Sequence, residues 1–122
     1  MKKLQDKTAI ITGGSKGIGR SVCLSLSNAG ASVLILDVDE TNGQNLVDEI
    51  LSNGHQASFY KMNVANEHEW LTFIKFLKEK NVLVDILINN AGIWLGKEIH
   101  DVTLDEYHQL ISINLTGVFL GT

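Results

Sequence analysis

The sequence predicts an α/β fold in which helices cover both faces of a doubly wound parallel sheet. Short apolar runs alternate with helical stripes along all 122 residues, and the first run leads into a glycine-rich turn. Strands that alternate with helices pair in parallel through right-handed crossovers. The length is typical of one domain, which we place at residues 1–122.

The predicted strands are short apolar runs without polar alternation, as in strands that are buried on both faces. A turn or a helix cap follows each of them. Only one more helix follows the fourth run, so we expect a sheet that is truncated after about four strands. The four runs are Thr8–Thr12, Ser32–Asp37, about 57–64, and 84–88.

Helices are predicted between and after these strands from apolar residues at 3–4 spacing. The first covers about 18–29 and ends at Gly30, a residue type common just beyond a helix. Side chains that can cap the other three helices are Asp39, Asn66 and Thr103. The apolar stripes are Ile18, Val22 and Leu26; Leu46, Val47, Ile50 and Leu51; Trp70, Phe73, Ile74 and Leu77; and Leu104, Tyr107, Ile111 and Val118, with Asn114 on the same face.

Composition excludes several classes of protein. The net charge is −4 with scattered acidic residues, which argues against nucleic acid or an anionic membrane as the main partner. The single cysteine, Cys23, permits no internal disulfide, and we interpret it as a small core residue of a protein in a reducing compartment. Charged residues interrupt the N-terminus, and no apolar run is long enough to span a membrane, so we expect a cytoplasmic protein. The histidines lack metal-ligand spacing, so we expect no metal site.

The turn after the first strand has the features of a phosphate-binding loop. It reads Thr-Gly-Gly-Ser-Lys-Gly-Ile-Gly over residues 12–19, between a strand and a helix. Glycines permit a sharp turn and a close backbone approach to a diphosphate, while the helix N-terminus attracts the anion. The pattern predicts a Rossmann-type nucleotide site. Its candidate binding residues are Gly13, Ser15, Lys16, Gly17, Ile18 and Gly19.

Two other nucleotide-binding classes can be compared with this loop. A Walker-type ATP site needs Ser or Thr directly after Gly-Lys, whereas Lys16 is followed by Gly17 and Ile18. The sequence therefore rejects that class. The glycines alone are also compatible with an adenosylmethionine-dependent methyltransferase.

Asp37 is the candidate ribose-binding acid. It ends the second strand about 20 residues beyond the glycine loop, the offset typical of an acid that accepts hydrogen bonds from the adenosine ribose. A carboxylate there repels the 2′-phosphate of NADP, and Val38 follows instead of an arginine. Lys16 lies in the phosphate loop and could reach a 2′-phosphate, which would favour NADP, but we weigh the repulsion by Asp37 more heavily and predict NAD. Alternatively, Asp37 is a solvated acid at a strand end.

At this point the sequence resembles the short-chain dehydrogenases/reductases, and the match covers the whole chain. Residues 12–19 resemble that family's TGxxxGxG, and Asn89-Asn90-Ala91-Gly92 resembles its NNAG. Asn114 is similar to the family's helix asparagine. The resemblance implies NAD(P)-dependent hydride transfer with an alcohol/carbonyl substrate, and a homo-oligomer for a full-length enzyme.

The resemblance also implies roles for particular residues. Asn63 and Val64 would lie against the adenine; the family usually has Asp at the first position, and Asn63 still offers a carbonyl acceptor. Asn114 would act in catalysis by holding a water that relays protons, although a structural asparagine with a satisfied amide is an equal alternative. The residues that would line the cofactor floor are Asn90, Ala91 and Gly92.

The family's catalytic Ser and Tyr-x-x-x-Lys have no counterpart in the sequence. The two tyrosines, Tyr60 and Tyr107, are followed four positions later by Val64 and Ile111. We therefore expect the N-terminal, cofactor-binding portion of an enzyme, or alternatively a nucleotide-binding module without turnover. We also expect the fourth strand to be an exposed sheet edge, with poor solubility of the isolated chain as its consequence. Trp94 either lines a substrate pocket or packs against its own loop.

Overall fold

In the computed structural model, which describes residues 2–122, all four predicted strands form and pair in parallel. They are β1 Thr8–Thr12, β2 Ser32–Asp37, β3 Ala57–Lys61 and β4 Ile86–Ile88. The strand order is β3-β2-β1-β4, so the chain reverses direction across the sheet after β3. The carboxyl ends of β1 and β4 therefore flank a topological switch point, where open α/β sheets bind ligands.

The helices follow the strands as the sequence predicts. They are α1 Gly17–Asn28, α2 Glu40–Ser52, α3 Glu67–Glu79, α4 Leu104–Ile111 and α5 Gly117–Gly121, with a 3₁₀ turn at Ile99–Asp101 and a π-helical turn at Ser112–Thr116. Asp39, Asn66 and Thr103 cap α2, α3 and α4, as predicted. In the part of the chain that the structure describes, no helix is long and apolar enough to cross a membrane.

Two strands are shorter than predicted, because side chains near their ends bind the backbone. After β3, the side chain of Asn63 accepts a hydrogen bond from the N–H of Ala65 and turns the chain. Before β4, the carboxylate of Asp85 accepts a hydrogen bond from the N–H of Thr8. Within residues 2–122, β4 pairs only with β1. The predicted exposed edge is therefore present, and poor solubility stays a prediction.

The core consists of two apolar layers, one on each face of the sheet. Alternate residues of β1 and β2 face opposite layers: Ile11 and Ile35 lie in the layer with α1 and α2, whereas Ile10 and Leu34 lie in the layer with α3. Both faces are thus buried, which explains why these strands read as continuous apolar runs. Cys23 is fully buried in the first layer, as predicted, and burial raises the pKa of its thiol to about 12.

The predicted apolar stripes of α2 and α3 are confirmed except at one residue each. Leu51 in α2 and Ile74 in α3 are exposed. In α1 the stripe is confirmed in part, because Val22 and Leu26 are partly buried and pack against the core, whereas Ile18 is 77% exposed. The fully buried residues of α1 are Gly19, Cys23 and Ser27. These small residues bring α1 close to the sheet.

The last predicted helix is divided into α4, a π-helical turn and α5, and the π turn changes the residue spacing halfway along it. Leu104, Tyr107 and Val118 of its apolar stripe are exposed. Gly117 sits directly against Val64, where an added Cβ would lie 2.8 Å from the Val64 Cγ2. The residues after the π turn are therefore held against the loop that follows β3.

Candidate functional site

A cleft of about 430 Å³ opens at the carboxyl ends of β1, β2 and β4. Nine residues predicted from the sequence line it together: Gly13, Lys16, Ile18, Asp37, Asn63, Val64, Asn90, Ala91 and Gly92. Sequence reasoning missed further lining residues: Leu36, Val38, Asp39, Met62, Ile93 and Ile113. Four predicted residues do not line the cleft: Ser15, Gly17, Gly19 and Asn114.

The glycine-rich loop needs glycine for two different backbone reasons. Gly13 and Gly17 have φ values of 61° and 60°, a region that other residues rarely adopt. Gly13 also touches the loop after β4, since an added Cβ would lie 2.8 Å from the Ala91 Cα. The backbone turn is therefore compatible with glycine and with few other residues.

The N-terminus of α1 is open towards an anion. Its N-cap is Lys16, which supplies no side-chain acceptor, and the first turn contains no acidic residue. The first N–H groups of a helix have no partner within the helix, and the helix dipole makes this end positive. Lys16 and Ile18, on either side of the first helical residue, both line the cleft. This end of α1 can therefore receive a phosphate group.

Ser15 and Gly19 support the loop from behind. Ser15 is buried, and its N–H and hydroxyl both donate to the Asp37 Oδ2, at 3.1 and 2.5 Å. At Gly19 an added Cβ would overlap the Gly13 carbonyl oxygen and lie 2.6 Å from the Asn90 Nδ2. These contacts give both residues an internal role in the loop, and their direct contact with a cofactor stays a prediction.

The carboxylate of Asp37 is held in a fixed orientation at the cleft. Besides the two bonds from Ser15, its Oδ1 accepts from the Asp39 N–H at 3.1 Å. A carboxylate has about four acceptor positions, so about one remains for a sugar hydroxyl. Asp37 is therefore a half-buried acid bonded both to the loop and to the turn before α2, and its ribose role stays a prediction.

Asp39 is the principal site residue that sequence reasoning missed, although it was predicted as a helix cap. Its Oδ1 accepts from the Asn42 N–H at 3.1 Å and its Oδ2 from the Asn42 Nδ2 at 2.7 Å. The Lys16 Nζ lies 3.8 Å from the same Oδ2. The pKa of Asp39 is below its ordinary value, mainly through the Asn42 side chain and backbone and less through Lys16. Its position two residues beyond Asp37, at the same sheet edge, was the available signal.

The segment after β4 is bonded to the glycine-rich loop. The Asn90 Nδ2 donates to the carbonyls of Thr12 and Gly13, both at 3.1 Å. The N–H groups of Asn90 and Ala91 both donate to the Thr12 Oγ1 at 3.0 Å. These bonds fix the two sides of the cleft relative to each other across the switch point.

Asn114 binds protein backbone with both ends of its amide. Its Oδ1 accepts from the Ile93 N–H and its Nδ2 donates to the Ile93 carbonyl, each at 2.8 Å. It lies in the π-helical turn and holds the loop after Gly92. The structural alternative thus has its partner, and a proton-relay role stays a prediction. Trp94, in the same loop, is 89% exposed and lies outside the cleft.

Asn63 and Val64 form the wall of the cleft beyond β3. The carbonyl oxygen of the Asn63 side chain accepts from the Ala65 N–H at 3.0 Å, so this acceptor is already engaged within the turn. Val64 and Met62 are both buried and line the cleft here, so this part of the wall is apolar. This wall can cover an apolar planar group.

The comparisons with known proteins all point to the same protein family. The model of the short chain dehydrogenase family matches residues 7–122. A cyclopentanol dehydrogenase from Comamonas sp. is 35% identical over 122 residues, which are 100% of this chain and 49% of the relative. A 3-oxoacyl-acyl-carrier-protein reductase from Synechocystis sp. is 37% identical over 123 residues, covering 100% of this chain and 50% of the relative.

A solved structure agrees with these relatives. The crystal structure of an Agrobacterium tumefaciens protein, provisionally described as a gluconate dehydrogenase, superimposes with a TM-score of 0.92 at 35% identity. The superposition covers 96% of this chain and 46% of that protein. The chain thus spans about half the length of the relatives it matches. The resemblance noted in the sequence is confirmed at the level of family and fold.

Proposed function

This chain belongs to the short-chain dehydrogenase family, and from that premise we propose that it supplies the dinucleotide-binding half of an NAD-dependent oxidoreductase acting on an alcohol/carbonyl pair. The observation that carries the proposal is the uncapped N-terminus of α1, which lies at the cleft that Asp37 also lines. A positive helix end beside a fixed acid suits a ligand with both a diphosphate and a ribose.

In this proposal each side of the cleft holds one part of NAD. The backbone around Gly13 and Ile18 holds the diphosphate, and Asp37 accepts a hydrogen bond from the adenosine ribose. Val64 covers the adenine, while Ala91 and the residue after it form the floor towards the nicotinamide. When bound, the nicotinamide accepts or delivers a hydride.

The choice of NAD over NADP rests on Asp37. Its carboxylate is oriented by Ser15, and in this proposal its remaining acceptor position accepts a hydrogen bond from a sugar hydroxyl. A 2′-phosphate at that hydroxyl would place two negative groups in contact at a half-buried position. Their repulsion should make the affinity for NADP lower than the affinity for NAD.

One observation favours a second candidate function, a dinucleotide-binding module without turnover. Among the described residues the tyrosines are poorly placed to exchange a proton with a substrate. Tyr60 packs against Phe73 with ring centroids 4.9 Å apart, and Tyr107 is exposed on α4. Neither lines the cleft.

The proposal is tested by titrating the 122-residue chain with NADH and following ligand fluorescence. Ile18→Asp puts a carboxylate in the first turn of α1, where an acid is favourable for the helix but repels a diphosphate. Ser25→Asp adds the same charge to an exposed position of α1 outside the cleft. We expect Ile18→Asp to weaken NADH binding by about tenfold or more and Ser25→Asp to change it by less than about twofold.

Two results would contradict parts of the proposal. If the folded chain does not bind NADH, or if both variants weaken binding equally, the site is wrong. If NADH binds as expected but NAD⁺ is not reduced in the presence of a panel of secondary alcohols, the module without turnover is the better description of this chain.

A further inference from the structure

We infer that Asp39 is a positioning residue for cofactor choice, which acts by keeping the Lys16 ammonium paired, so that this ammonium does not offset the charge of an adenosine 2′-phosphate. The inference rests on the proposed function, since it concerns the same cleft and the same ligand. It adds a second determinant of NAD preference to Asp37, through a residue that does not itself need to touch the sugar.

The geometry supports this role in two ways. Lys16, Asp37 and Asp39 all line the cleft. The Lys16 Nζ lies 3.8 Å from the Asp39 Oδ2, and the Lys16 side chain is 74% exposed. The exposed Lys16 side chain thus has an ion-pair partner in Asp39, and Asp39 is fixed by its bonds to Asn42.

The electrostatic consequence follows from charge balance at this end of the cleft. A 2′-phosphate would meet the carboxylates of Asp37 and Asp39, and the ammonium that could offset them is already paired. Removal of the Asp39 charge both releases Lys16 and removes one repulsive carboxylate. Because the pair is exposed, each effect is modest, and together they amount to about three- to tenfold in affinity.

The chain contains a matched control beside this pair. Glu40, the next residue, pairs with Lys61 at 3.6 Å, and both side chains are more than half exposed. Lys61 is the strand neighbour of Asp37 in β3, yet neither Glu40 nor Lys61 lines the cleft. Glu40→Gln therefore changes the net charge by the same amount and releases a lysine near the same edge without reaching the ligand.

The experiment measures the dissociation constants of NADH and NADPH for the 122-residue chain and for three variants. Asp39→Asn keeps a side-chain oxygen that can cap α2, because Asn is as good an N-cap as Asp. We expect it to lower the ratio of the NADPH to the NADH dissociation constant about three- to tenfold. The gain should shrink at high salt, since the freed ammonium acts through an exposed charge.

The remaining variants separate the proposed role from a structural one. Glu40→Gln should leave the ratio of the two constants within about twofold, and Lys16→Met added to Asp39→Asn should remove most of the NADPH gain. An unchanged ratio in Asp39→Asn, or an equal change in Glu40→Gln, overturns the inference while NADH binding by the parent chain keeps the proposed function. If the parent chain binds neither nucleotide, both are overturned together.

Discussion

Replacement of Gly19 by alanine tests the packing behind the glycine-rich loop. An added Cβ would overlap the Gly13 carbonyl oxygen, and it would lie 2.6 Å from the Asn90 Nδ2 and 2.9 Å from the Gly14 Cα. Two of these atoms belong to the backbone, and the Asn90 amide is itself bonded to the Thr12 and Gly13 carbonyls. No neighbour can therefore rotate away, and the loop itself must move.

Two opposing effects determine the magnitude. Alanine is favoured over glycine inside a helix by about 1 kcal/mol. Overpacking against atoms that cannot repack is unfavourable by about 1–3 kcal/mol, and the contacts here place Gly19→Ala in the upper part of that range. We expect a net loss of about 1–2 kcal/mol in the free energy of unfolding. Because the displaced loop is the one that would hold the diphosphate, NADH affinity should fall by about tenfold or more.

Urea denaturation followed by circular dichroism measures the stability, and NADH titration measures the binding. Gly54→Ala is the control, because Gly54 has φ of 81° and open space around an added Cβ, far from the cleft in sequence and structure. It should lose about 1–2 kcal/mol through backbone strain alone and bind NADH normally. A Gly19→Ala chain that is as stable as the parent and binds NADH equally would refute the reasoning.

Two further predictions concern polar anchors of the cleft and the sheet. Asn90→Asp replaces the donor to two loop carbonyls with an acceptor, so it should lower the free energy of unfolding by about 2–4 kcal/mol and abolish tight NADH binding. The control Asn89→Asp should do neither. Equal urea midpoints for the two variants would contradict this prediction. The pKa of Asp85 is lowered mainly by the hydrogen bond from the Thr8 N–H and further by a lysine side chain. The ionised carboxylate therefore stabilises the fold fully above the unfolded-state pKa of about 4, and this stabilisation is lost as the pH falls further. Asp85→Asn should therefore be less stable at neutral pH and show a flatter acid limb in thermal melts, and an unchanged limb would count against that role.

Hydrophobic pattern was sufficient to predict the layers of the fold. The strands at Thr8–Thr12 and Ser32–Asp37 were predicted with their observed bounds, because a continuous apolar run is distinctive when both sheet faces are buried. Strand ends near Asn63 and Asp85 were misplaced. There the deciding interactions are side-chain bonds to backbone groups, one of them with a residue far away in the sequence.

The faces of the helices were harder to predict than their existence. In α1 the predicted stripe begins at Ile18, which is exposed, and its later members are only partly buried, while Gly19 and Cys23 face the sheet. Small residues carry little hydrophobic signal although they permit the closest approach of a helix to a sheet. In the last helix the π-helical turn altered a spacing that a regular helix would have kept.

For the cleft, the amino-acid sequence alone determined which loop has the backbone freedom and the open helix end that a diphosphate needs, because those properties are local to residues 13–19. It also placed Asp37 at the correct sheet edge, since parallel strands end together. Only the tertiary structure decided that Ser15 and Gly19 support the loop from behind, that Asn114 binds the backbone of Ile93, and that Asp39 holds Lys16. Those contacts join residues from separate elements, and their distances depend on how closely the helices pack on the sheet.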